Sequence, residues 1–169
     1  MTLVQTLANS LQPWQSLYSD SKAVSSVVTG VHLVAMLFGG GFAVAADRST
    51  LRALRRDPSE RSRALEELHA VHRPVLYALA ALFVSGVALA AADIETFATS
   101  PIFMLKLALV ALLLGNGAVL QRTERSLRRQ TAHPLREVRL WRRLRATTYL
   151  SLLFWTSAVV AGTVLVNAA

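Results

Sequence analysis

The chain of 169 residues contains no cysteine, so it carries no disulfide, no cysteine-held iron–sulfur cluster and no thiolate metal site. Any metal ligand has to be histidine, methionine or a carboxylate. Charge is missing over long stretches as well. From Ala23 to Asp47 the only ionisable side chain before the closing acid is His32. Charged residues make up 17% of the chain and apolar residues 53%, which excludes both a disordered chain and an ordinary soluble domain. Positive charge is absent before Lys22, and no small-residue cleavage pattern follows, so the first 22 residues do not read as a secretory signal. No nucleophile–base pair, phosphate loop or nucleic-acid module is present, and the chain does not read as an enzyme.

What is present is four apolar runs, at about residues 23–46, 75–92, 101–120 and 147–166. The first is long enough, at ~1.5 Å per residue, to cross a ~30 Å hydrocarbon core with some tilt. The expected fold is all-α: an integral membrane four-helix bundle over residues 23–169, preceded by residues 1–22 as an N-terminal interfacial amphipathic helix. Leu3, Leu7, Leu11, Trp14 and Tyr18 recur at helical spacing in that first segment, with a bend expected near Pro13. Asp57-Pro58-Ser59-Glu60 reads as a helix start, leading into a short cytoplasmic helix that Pro74 separates from the second span or kinks into it.

The net charge of +8 is distributed too unevenly to suggest nucleic acid. Of 18 Lys and Arg, seven lie between Arg48 and Arg73 and nine between Arg122 and Arg145. Two Arg-rich connections between apolar spans are the pattern of cytoplasmic loops, so both termini are expected outside. The lipid bilayer is the chain's first partner, with a homo-oligomer or a partner membrane subunit left open; a bacterial inner membrane is the location implied by the resemblance described below. Arg52-x-Leu54-Arg55-Arg56 recurs 73 residues later as Arg125-x-Leu127-Arg128-Arg129, the sign of a duplicated hairpin or of two basic loops alike by chance. The Val138, Trp141 and Leu144 face beyond the second loop is expected at the inner interface.

An ionisable group inside a span is costly and normally faces the bundle interior with a partner, so His32 is the first residue to explain. Met36 lies one turn further along the same face, in line with small residues including Gly39, Gly40 and Ala43. His32, Met36 and, from the third span, Met104 form a set of soft and borderline donors suited to copper(I). Close helix packing at Gly39-Gly40-Gly41, with His32 hydrogen-bonded across it, explains the same residues without a metal. Lys106 either extends to the outer headgroups, pairs with Asp93 or Glu95, or holds an anion. Asn116, between Gly115 and Gly117, is expected to hydrogen-bond a neighbouring helix. Glu66, His69 and His72 fall at i, i+3 and i+6, a single Glu-x-x-His that reads better as a salt-bridged surface helix than as half of a di-iron site. A haem b held by two histidines of one chain lacks its second intramembrane ligand, because His69, His72 and His133 lie at or beyond the inner boundary.

The third span and its flanks, SPIFMLKLALVALLLGNGAVLQR, resemble the lysine-containing helix of the copper-resistance D (CopD-like) membrane proteins and of related small four-span families. His32, Gly39 to Gly41 and Asp47 give the first span a similar likeness. The resemblance implies an inner-membrane four-helix protein that takes up or handles copper. Two other readings stand beside it: a haem-binding or redox-accessory subunit, and a non-catalytic scaffold or assembly partner.

Overall fold

The computed structural model describes residues 3–129 and 134–168, and all their regular structure is helical. Helix α1 spans Leu3–Asp20, α2 Lys22–Ala53, α3 Pro58–Ala92, α4 Ile94–Thr99, α5 Pro101–Arg128 and α6 Pro134–Ala168. Four of them, α2, α3, α5 and α6, are long and apolar enough to cross a membrane. The chain is a multi-pass membrane bundle, with large side chains such as Leu37, Phe38, Tyr77 and Phe83 exposed on its flanks where lipid tails would lie.

The helices outrun their apolar cores. At ~1.5 Å per residue α2 is about 48 Å long and α3 and α6 about 52 Å, against a hydrocarbon thickness of ~30 Å. Much of the Arg-rich sequence is therefore helix rather than loop. The expected break at Pro74 is not made: α3 runs unbroken from Pro58 to Ala92. Proline removes one backbone donor and crowds the carbonyl four residues back, which costs a local hydrogen bond without ending a helix that packing holds on both sides. Helix α1 continues through Pro13 in the same way.

Hydroxyl and carboxylate side chains set several boundaries. Ser21 accepts from the Val24 amide at 3.3 Å, Asp93 from Thr96 at 3.3 Å and Ser100 from Phe103 at 3.3 Å. Asp57 occupies the cap position of α3 with its backbone only, its carbonyl accepting from Glu60 and Arg61. Helix α1 is docked rather than loosely laid. The Trp14 indole N–H donates to the Ala88 carbonyl at 2.9 Å and the Gln15 amide to the Ala91 carbonyl at 3.4 Å, near the end of α3.

Helices α2 and α3 pair closely, as do α5 and α6, and α2 also packs on α6, whereas α3 and α5 meet only sparsely. Where α2 meets α3 and α6, a Cβ added to Gly39 would lie 2.9 Å from the Ala78 methyl of α3 and 3.6 Å from the Trp155 ring of α6. Gly40 lets the same ring approach to 3.4 Å of such a Cβ. A buried apolar cluster joins Ala46, Leu65, Leu68, Leu120, Leu127 and Leu144 at the basic end of the bundle. Leu144 is wholly buried there, so it is a core residue and not the interfacial one its position beside Arg142 and Arg143 suggests. Trp141 packs against this cluster with the Arg61 guanidinium 5.6 Å from its ring centre, while Val138 is exposed.

Candidate functional site

The sparse α3–α5 contact leaves two cavities along the bundle axis, one toward the termini and one toward the basic end. The first, of about 210 Å³, is lined by His32 and Met36 of α2, Phe83 and Gly86 of α3, Lys106 of α5 and Trp155 of α6 among others. Glycines seat its two ionisable side chains. A Cβ on Gly86 would stand 3.5 Å from His32 Cε1, and one on Gly162 would stand 3.5 Å from Lys106 Nζ.

Ser85 holds the His32 ring from the facing helix. Ser85, 5% exposed, has a single hydroxyl hydrogen, which it donates back along α3 to the Ala81 carbonyl at 2.6 Å. His32 Nδ1 lies 2.9 Å from the same oxygen, and both contacts are satisfied together in the tautomer that carries its proton on Nδ1. A neutral ring in that tautomer carries its lone pair on Nε2, as a metal ligand or base requires.

Lys106 makes no ion pair among the described residues. Asp93 is engaged in capping α4, and the ammonium lies against Gly162 in the cavity rather than at that turn. Met104, two residues earlier on α5, is half-exposed and does not line the cavity, so the structure joins His32 to Met36 and leaves Met104 apart.

The second cavity, of about 200 Å³, brings together Asp47 of α2, His72 of α3, Gln121 of α5 and Ser151 of α6. Asp47 is 2% exposed. Ser151 lies beside its carboxyl, yet Oδ2 has no hydrogen-bond partner among the described residues. Gln121 is within reach of His72 across the α3–α5 gap. Leu79, Leu113, Leu114 and Trp155 line both cavities and form the apolar layer between them. None of the three comparisons, with protein-family models, with curated proteins and with solved structures, finds a match for this chain.

The Glu66, His69 and His72 group does not stay together. Glu66 is exposed, His72 faces the second cavity, and His69 Nδ1 lies 3.3 Å from Glu124 of α5, a wholly buried acid that Arg128 also approaches to 3.7 Å. His133 lies outside the described residues. No group of three or more His, Asp or Glu positioned for a metal ion occurs among the described residues. Asn116 is buried and donates from Nδ2 to the Thr147 carbonyl of α6 at 2.8 Å.

The sequence reading passed over Gln121, Glu124 and Ser151, took Ser85 only as half of a small-residue notch with Gly86, and took Asp47 only as the acid closing the first span and its resemblance. A serine in an apolar run or an acid in an Arg-rich one carries no signal of its partner. Asp47 could have been found: it lies six residues before the end of α2, where a helix still packs on its neighbours.

Proposed function

We propose that this membrane protein handles a soft transition metal, copper(I) first, at His32 and Met36 in the termini-side cavity. The observation that supports it is the Ser85 contact, which suits the tautomer with Nε2 free as a donor, on a residue that lines the same cavity as the Met36 thioether one helical turn away. Histidine ligands characteristically donate their other ring N–H to such an oxygen, which sets the tautomer and orients the ring. Lys106 sharpens the choice of ion. An unpaired ammonium in the same cavity opposes a dication more strongly than a monocation, and thioether softness favours copper(I) over sodium or potassium. The likeness of the first and third spans to copper-resistance D proteins points the same way. A haem b on His32 fits less well, because a cavity of about 210 Å³ falls below the ~300–1,000 Å³ of ordinary cofactor pockets.

Titration of the purified protein against a copper(I) chelator under reducing conditions tests this. Wild type should bind one copper(I), and His32→Ala should abolish binding. Ser85→Ala should weaken it by about 10- to 100-fold through loss of the orienting contact. Met36→Leu should weaken it, and Met104→Leu should leave it unchanged. Protein that stays copper-free in excess copper(I) overturns the proposal and makes the His32–Ser85 bond a packing contact.

A further inference from the structure

Lys106 is a charged side chain that the bundle leaves unanswered. It lies ~8 Å along α5 from Pro101, at ~1.5 Å per residue, and lines the termini-side cavity with its ammonium against Gly162 of α6. No described acid forms an ion pair with it, and Asp93 and Glu95 are exposed at the α4 turn. The enclosed side-chain nitrogens and oxygens that lack a partner belong to Asp47, Thr50, Arg61 and Glu124. Lys106, equally unpartnered, therefore keeps its nitrogen accessible. An ammonium among apolar helices is expensive unless an anion completes it.

We propose that the termini-side cavity binds a small monocarboxylate on a short apolar body, with its charge against Lys106 Nζ. Charge, walls and size select that class. No Asp, Glu or Arg lines the cavity, so one ammonium faces the ligand. It balances a monoanion and leaves a dianion such as a phosphate ester half uncompensated in a medium of low dielectric. His32 adds no second charge in the neutral tautomer that satisfies Ser85, and its Nε2 lone pair repels an acceptor, which keeps the carboxylate at the Lys106 end. The remaining walls are leucine, valine, alanine and phenylalanine with Met36 and the Trp155 ring. A hydrated inorganic anion gains nothing from such walls, whereas an apolar body does. At about 210 Å³ the cavity exceeds the ~150 Å³ void that accommodates benzene in an engineered protein core, which leaves room for a ring bearing one carboxyl group. A carboxylic acid also enters lipid in its neutral form and reaches the cavity through the sparse α3–α5 seam. The proposal does not rest on the copper reading, since Lys106 is not among the metal ligands, and copper-free protein tests it separately.

Benzoate is the probe, with benzamide as its uncharged counterpart of the same shape, titrated calorimetrically into the copper-free full chain in phosphatidylcholine nanodiscs against empty nanodiscs. Wild type should bind benzoate saturably at one site and benzamide about 10-fold or more weakly. Lys106→Leu removes the charge and should weaken benzoate by about 30-fold or more. Ala158 lines the cavity from α6, so Ala158→Leu fills part of it and should abolish benzoate binding with Lys106 still in place. The Ala158 variant and the pair of probes decide the matter if Lys106→Leu does not fold. Equal binding of the two probes by wild type, undiminished benzoate binding in either folded variant, or no saturable binding to wild type overturns the proposal.

Discussion

Single polar side chains hold this bundle together where apolar burial cannot. Lipid tails are as apolar as leucine, so association inside a membrane rests on close packing and on hydrogen bonds between helices. Asn116 makes such a bond to the Thr147 carbonyl of α6, and Asn116→Ala should cost about 1 kcal/mol in a mixed-micelle unfolding titration. An unchanged midpoint would mean that the Asn116 amide finds an equal partner in the unfolded state. The buried threonines around it, Thr123, Thr147 and Thr148, satisfy themselves by donating to carbonyls three or four residues back on their own helices. They occupy the interior at little cost without specifying which helix lies opposite. Asn116 could be noticed from its place between two glycines in an apolar run. Its acceptor could not be, because a backbone carbonyl has no sequence signature.

Pairs of helices are decided by small residues. In the Gly39-Gly40-Gly41 run the three positions look equivalent, yet only two face a neighbour. Gly39→Ala would drive a methyl to 2.9 Å from the Ala78 Cβ, which is fixed to its backbone, so α2 and α3 must part; the expected loss is about 1–3 kcal/mol. Gly41→Ala meets nothing within 4 Å and should leave stability unchanged or raise it by up to about 1 kcal/mol through helix propensity. Thermal unfolding of the two variants side by side reads both, and equal effects would place the α2–α3 contact elsewhere. The 73-residue offset can be followed from helix to helix. Thr50 and Thr123 correspond and are each 2% exposed. The positions matching Gly39, Gly40 and Trp155 are Leu112, Leu113 and Leu82, so the small-residue seat that brings α2 onto α6 has no counterpart between α5 and α3. The seam that results is where both cavities lie.

At the scale of the molecule, four crossings and two basic connections put α1 at the opposite end from the start of α3. The cysteine-free chain makes this easy to test with single labels. Ser10→Cys and Ser59→Cys should react with an impermeant maleimide from opposite sides of a sealed membrane, Ser10 from outside and Ser59 only after permeabilisation. Labelling of both from one side would rule out the four-span topology. Composition and the spacing of apolar runs were enough to determine an all-helical membrane bundle, because crossing a bilayer depends on length and hydropathy, which are local sums along the chain. Helix extent was less legible, since Pro74 looks like a break in the sequence and is tolerated inside α3 once neighbours hold it. The sites were the least legible. In a soluble protein the apolar stripe of a helix marks its buried face, but here lipid-facing and core-facing sides are equally apolar, so the sequence does not say how each helix is rotated about its axis. Only the tertiary structure decided that His32 meets Ser85, that Met104 turns away, and that Asp47, His72, Gln121 and Ser151 gather from four different helices around one cavity.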